Sequence, residues 1–167
     1  MITRVLAGLL LLTMISSIGF AFQKPTFSGE WKLDRDRSFS LQANLRGQSM
    51  KVAQTGDQID FETRLITSEG EDTIKDSYVV DGKEREFTPQ GPKGPIPDAK
   101  GKRTAKWLPN DKGLAVDEET TTPGPKGPVT QKVMRVWSIS RSGELTIEMY
   151  VDTPTVSYET KRIFRKA

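Results

Sequence analysis

The chain has 167 residues, a formal net charge of +3, and neither cysteine nor histidine. Ser-His-Asp triads, Cys-His pairs and histidine-bearing zinc or haem sites are therefore excluded, while carboxylate, lysine or tyrosine chemistry remains. Positive and negative residues are interspersed, which is typical of a solvated protein surface and does not indicate nucleic-acid binding.

The first 21 residues have the pattern of a secretory signal peptide. Arg4 gives a positive start, an apolar run covers residues 5–15, and Gly19-Phe20-Ala21 supplies the small residues of a cleavage site. A membrane anchor is the alternative, but the apolar run of about 15 residues is shorter than the roughly 20 that a span requires. We expect an exported protein, periplasmic or secreted and with no membrane span after cleavage. Export without any cysteine favours a bacterial source.

The remaining residues, 22–167, are long enough for one domain, and period-two alternation dominates them. The pattern predicts an all-β protein, a single up-and-down antiparallel barrel of about ten strands. The predicted strands are residues 30–33, 49–55, 58–67, 73–80, 84–87, 102–108, 114–121, 129–140, 144–151 and 155–165.

The predicted connections alternate between tight turns and longer links. In a meander, every second connection falls at the same end, so the tight turns gather at one end of the barrel, the turn end. The longer links gather at the other, the open rim. The link 34–48 predicts a short lid, either a helix capped by Ser38 or Ser40 or an irregular flap.

Gly-Pro-Lys-Gly-Pro occurs twice, at residues 91–95 and 124–128. Proline fixes φ and removes a backbone donor, so both segments are predicted to be extended loops that do not join the sheet. Both would lie at the open rim.

Two arginines share a strand face with mainly apolar residues: Arg135 with Val133 and Trp137, and Arg162 with Phe164. A buried guanidinium needs a partner. Asp76 and Glu118 are candidate internal partners, an anionic ligand is another option, and a different facing of the strands is the third. The basic clusters at residues 102–106 and 161–166 are interpreted as solvent-facing strand positions.

Residues 27–33, Phe-Ser-Gly-Glu-Trp-Lys-Leu, resemble the opening Gly-x-Trp strand of the calycin superfamily of lipocalins and fatty-acid-binding proteins. Residues 160–164 resemble the closing strand of fatty-acid-binding proteins, although Phe164 stands where that family has a tyrosine. The resemblance implies ten strands, a helical lid between the first two, and two arginines that reach a fatty-acid carboxylate. Arg135 and Arg162 fall on the corresponding strands. The chain is also similar to exported bacterial lipocalin-like proteins through the hairpin 137–147.

The leading hypothesis is noncatalytic binding of a small, hydrophobic or amphipathic ligand in the barrel, with no metal and no cofactor. The barrel should bring its first strand against its last, with Trp31 and Arg162 close together inside. The candidate ligand-binding residues are Trp31, Tyr78, Trp107, Arg135, Trp137 and Arg162.

Two further hypotheses stay open. One is an envelope interaction protein with a solid barrel, in which the two Gly-Pro-Lys-Gly-Pro loops carry recognition. The other is an enzyme that uses Asp117, Glu118 and Glu119, but neighbouring residues of a strand point to opposite faces and form no obvious dyad.

Overall fold

The computed structural model describes residues 24–91, 93–109, 112–125 and 127–167. Ten strands form one antiparallel sheet, and two short strands, β6 (Gln90–Gly91) and β7 (Gly94–Pro95), form a second. The strands of the large sheet are β1 (Gly29–Phe39), β2 (Leu45–Thr55), β3 (Gln58–Thr67), β4 (Gly70–Val79), β5 (Glu84–Phe87), β8 (Lys100–Trp107), β9 (Gly113–Thr122), β10 (Val129–Ile139), β11 (Leu145–Asp152) and β12 (Ser157–Lys166).

The predicted fold class, an all-β antiparallel meander of ten strands, is confirmed. Two predicted strands, 58–67 and 84–87, coincide with β3 and β5. The signal peptide predicted for residues 1–21 lies outside the described residues. Within the described part of the chain, no helix is long and apolar enough to cross a membrane.

Each strand of the large sheet is hydrogen-bonded to its neighbour in the order β4-β3-β2-β1-β12-β11-β10-β9-β8-β5. β1 pairs with β12, so the first strand meets the last as predicted. Trp31 and Arg162 are not adjacent, however: Trp31 lies opposite Lys166, four residues further along β12. Their predicted proximity is therefore wrong, because the register offsets the two side chains along the barrel.

β4 and β5 stand at the two ends of this strand order and do not pair with each other. We call the gap between them the seam. Near the turn end, backbone hydrogen bonds tie the segment after β4 to the barrel, from Val80 N to Asp57 O at 2.7 Å and from Gly82 N to Ala105 O at 2.8 Å. Beyond these bonds, the seam is bridged by side chains.

The connection between β1 and β2 is much shorter than the predicted link 34–48 and contains no helix. β1 continues to Phe39 and β2 begins at Leu45. The Ser38 hydroxyl donates to Asp34 O at 2.6 Å and accepts from Ile163 N at 3.0 Å. This serine therefore holds a bulge of β1 against β12 and caps no helix.

The two Gly-Pro-Lys-Gly-Pro segments stay outside the large sheet, as predicted. The first takes part in the small hairpin of β6 and β7, which also includes Gln90, and the second holds an isolated bridge between Pro125 and Gly127. Both lie in links at the open rim, between β5 and β8 and between β9 and β10.

The turn end is closed by the segment that precedes β1. Phe27 is fully buried, stacks on Trp107 with ring centroids 6.2 Å apart, and meets Trp137 edge-on at 5.7 Å. Burying a whole aromatic ring removes a large apolar area from water, so this contact anchors the segment.

Candidate functional site

A cavity of about 260 Å³ lies inside the barrel, lined by side chains of β2, β3, β4, β10, β11 and β12 and by Gln90 from the loop at the open rim. Its apolar lining includes Leu65, Ile74, Ile147 and Met149. Larger spaces of about 540 and 440 Å³ are grooves that include outward-facing residues such as Lys75 and Lys102. We take the interior cavity as the candidate site because inward-facing polar side chains converge on it.

Four of the six predicted ligand-binding residues line this cavity, namely Tyr78, Arg135, Trp137 and Arg162. Their binding role stays a prediction, but the barrel brings them to one space. Period-two alternation on β4, β10 and β12 predicted which side chains point into the barrel, and all four of these side chains do so.

Trp31 and Trp107 lie at the turn end, outside the lining of this cavity. Trp31 is buried and its indole N–H donates to Phe27 O at 2.8 Å. The Trp107 N–H donates to Asp57 at 2.9 Å, and Lys24 stands 4.9 Å from its ring centroid. Both indoles therefore have protein partners that hold the closing segment in place.

Arg103 is the centre of an ion network that the sequence interpretation missed. It is only 8% exposed, whereas the basic cluster 102–106 was predicted to face solvent. Its guanidinium donates to both carboxylate oxygens of Asp76, at 2.9 and 2.6 Å, to Glu118 at 2.5 Å, and to Ser77 O at 2.8 Å. Alternation could have identified it, because Ala105 and Trp107 share its parity on β8.

The same guanidinium lies between two aromatic rings. Its central carbon stands 4.7 Å from the ring centroid of Tyr78 and 3.9 Å from that of Phe87. Burial raises the pKa of the Tyr78 hydroxyl, so this side chain stays neutral. Stacking and ion pairing together join β4 to β5, β8 and β9 across the seam, where β4 and β5 share no backbone ladder.

Arg135 is paired inside the barrel with Glu118, one of the two partners expected for it. Glu118 therefore accepts from both Arg103 and Arg135. The flanking acids Asp117 and Glu119 face outward, where they pair with Lys106 and Lys132. The three adjacent acids thus point to alternate faces, as the sequence predicted.

Arg162 has no carboxylate partner within 4.0 Å among the residues that the structure describes. Its Nη1 donates to the side-chain oxygen of the buried Gln48 at 3.0 Å, and its buried Nε has no hydrogen-bond partner. Burial, followed by the charge of Arg135, lowers its pKa, although an arginine remains charged. The predicted pairing of Arg162 with Asp76 or Glu118 does not occur, because Arg103 occupies both carboxylates.

Among the residues that the structure describes, the interior thus holds three guanidinium groups, on Arg103, Arg135 and Arg162, against the two carboxylates of Asp76 and Glu118. One positive charge is left over, and it is carried by the arginine without a carboxylate. In a space walled by apolar side chains, such a charge attracts an anion more strongly than it would in water.

No metal site is suggested by the side chains in the described part of the chain, where no group of three or more metal-ligating residues occurs. The polar side chains that line the cavity include the unpaired Arg162, the ion-paired Arg135 and Asp76, two amides, a threonine hydroxyl and the two aromatic donors Tyr78 and Trp137. This set can hold an anionic head group and pack an apolar body.

Comparison with solved structures identifies a fold relative of this barrel. The crystal structure of zebrafish ileal bile acid-binding protein complexed with cholic acid matches with a TM-score of 0.51 and 16% sequence identity, over 84% of this chain and 98% of that chain. No protein-family model and no curated protein sequence matches. At this identity the likeness establishes the fold: the chain is similar to a calycin-type barrel.

Proposed function

We propose that this protein is an exported, noncatalytic, lipocalin-like binder of a small amphipathic carboxylate, which it holds in the barrel cavity. The observation that carries the proposal is Arg162, a largely buried cation that lacks a carboxylate among the described residues while Arg103 and Arg135 both have one. A bound carboxylate would balance the leftover charge and accept from the unused Nε.

The apolar lining supports an amphipathic ligand over a small inorganic anion. Leu65, Ile74, Ile147 and Met149 surround the space beside Arg162. The cavity of about 260 Å³ equals the liquid volume of about nine water molecules. A ligand of about ten non-hydrogen atoms, such as octanoate, is therefore a suitable probe.

The fold relative supports the same class of ligand. Its structure contains cholic acid, so a barrel of this architecture accommodates a small, largely apolar acid. Pockets of this kind are mostly apolar, with a few placed polar groups that orient the ligand.

Export is the second part of the proposal and rests on the pattern of residues 1–21. Expression of the full chain in a bacterial host should yield a periplasmic or secreted product that begins at Phe22. Intact mass measurement of the cell fractions would test this, and retention of the full-length mass in the cytoplasm would contradict it.

The binding proposal is tested by calorimetric titration of the purified protein with octanoate and with 1-octanol. We expect octanoate to bind and the Arg162→Met variant to lose at least tenfold in affinity, because a hydrogen bond to a charged group contributes about 1.5–3 kcal/mol. Arg141→Met is the matched control, since it removes the same charge from the exposed turn after β10. Equal affinity of octanoate and octanol, or an unchanged Arg162→Met variant, would refute the proposal.

A further inference from the structure

Two hydrogen-bond donors in the cavity lining are left without partners. Among the described residues, three buried side-chain nitrogen or oxygen atoms have no hydrogen-bond partner, and two of them are Arg162 Nε and Trp137 Nε1. Both residues line the interior cavity. The third, on Asp34, lies 2.5 Å from Arg165 on the outer surface.

The carboxylates of the interior ion network and the Gln48 side-chain oxygen already accept hydrogen bonds. Asp76 accepts from Arg103, Glu118 accepts from Arg103 and Arg135, and the Gln48 side-chain oxygen accepts from Arg162. The two buried atoms of the lining that lack partners are both donors. A ligand that satisfies them must bring acceptors.

The two unpartnered donors are separated by two strand spacings at one level of the barrel. Trp137 pairs with Ile147 on β11, and Ile147 pairs with Arg162 on β12. Neighbouring strands lie about 4.8 Å apart, so the two backbone positions are on the order of 10 Å apart. An octanoate-sized ligand is long enough to span that distance.

The indole N–H of Trp137 is held in an apolar setting. The Trp137 ring meets Phe27, Phe61 and Tyr78 in edge-type contacts, with centroids 5.7, 5.4 and 5.7 Å away. An aromatic face is a weak acceptor compared with an oxygen atom. A buried donor without an acceptor costs free energy, so a ligand oxygen that accepts from this N–H would strengthen binding.

We infer that the ligand carries, besides its carboxylate, a second and uncharged acceptor oxygen, a carbonyl or an ether, which accepts from Trp137 Nε1. This inference rests on the proposed function and narrows its ligand class to oxygenated monocarboxylates. Trp137 is then a specificity-determining residue. It distinguishes such an acid from a plain fatty acid of the same length.

The test compares octanoate with 4-, 5- and 7-oxo-octanoate in calorimetric titrations of the full mature protein. The three oxo acids place the ketone oxygen at three different distances from the carboxylate, because the structure does not fix that distance. At least one oxo acid should bind about three- to tenfold more tightly than octanoate, the range that one neutral hydrogen bond supplies. In Trp137→Phe, which removes the N–H and keeps an aromatic ring, the ratio of the oxo-acid affinity to the octanoate affinity should fall to about one.

A second readout keeps the test decisive if Trp137→Phe does not fold. In ¹⁵N-labelled wild-type protein, the indole N–H signal of Trp137 should move downfield with the preferred oxo acid and much less with octanoate. The indoles of Trp31 and Trp107 are internal controls, because both already donate to oxygen atoms. Equal binding of all four acids with an unmoved Trp137 signal would overturn this inference alone, whereas failure of every acid to bind would overturn the proposed function and the inference with it.

Discussion

Arg103 is the residue on which the closure of this barrel depends most. It is buried, it pairs with carboxylates from two strands, and it donates a hydrogen bond to the Ser77 carbonyl at the free edge of β4. Desolvating a guanidinium is costly, and two carboxylates, one carbonyl and two aromatic faces offset that cost. Removing it would leave two acidic side chains without their shared partner.

The substitution Arg103→Met should therefore lower the free energy of unfolding by about 3–5 kcal/mol, the cost of breaking a buried ion pair. Chemical denaturation followed by tryptophan fluorescence measures it. Arg141→Met, in an exposed turn, should change stability by less than about 0.5 kcal/mol. A loss below about 1 kcal/mol for Arg103→Met would mean that the network does not hold the seam.

The three interior arginines differ in how far the sequence could reveal them. Arg135 and Arg162 share their strand faces with apolar residues, so alternation was enough to predict that both point inward. Arg103 lies in a basic cluster with Lys102 and Lys106, and the cluster was interpreted as solvent-facing although its alternation with Ala105 pointed inward. Which arginine takes which carboxylate depends on strand register, and that could not be obtained from alternation.

At the scale of elements, β5 is the weakest part of the sheet. It has four residues and pairs only with β8. Its end is held by Phe87, whose ring covers Gly101 of β8 and stacks on Arg103. The absence of a side chain at Gly101 is what lets the ring approach.

The change Gly101→Ala should destabilise the protein by about 1–3 kcal/mol, the usual cost of overpacking. A Cβ atom there would lie 2.4 Å from the Phe87 ring and would push that ring away from Arg103. Gly47→Ala on β2 is the control, because its Cβ would meet only Ile66 at 3.6 Å. Thermal unfolding of both variants checks this, and equal melting temperatures would contradict the role assigned to Gly101.

Strands were more predictable than links. β3 and β5 follow directly from local alternation and turn residues. The connection after β1 could not be predicted, because Ser38 is held by a hydrogen bond to Ile163, 125 residues away. A capping serine and a bulge serine have the same local pattern, and only the distant strand distinguishes them.

At the scale of the whole molecule, the barrel is closed by backbone ladders everywhere except the seam, and it is packed at the turn end and hollow nearer the open rim. The sorting of short and long connections predicted the meander and its two unlike ends. The lengths of the connections could not predict the volume of the interior cavity, since that volume depends on how Phe27, Trp31 and Trp137 pack together.

The most direct test of the account is a crystal structure of the mature protein, residues 22–167, grown with octanoate. We predict density for the carboxylate within hydrogen-bonding distance of Arg162 and for the chain against Ile147 and Met149, with Arg103 still paired to Asp76 and Glu118. A cavity filled by protein side chains, or octanoate bound only on the outer surface with Arg162 paired to a carboxylate of the protein, would contradict it.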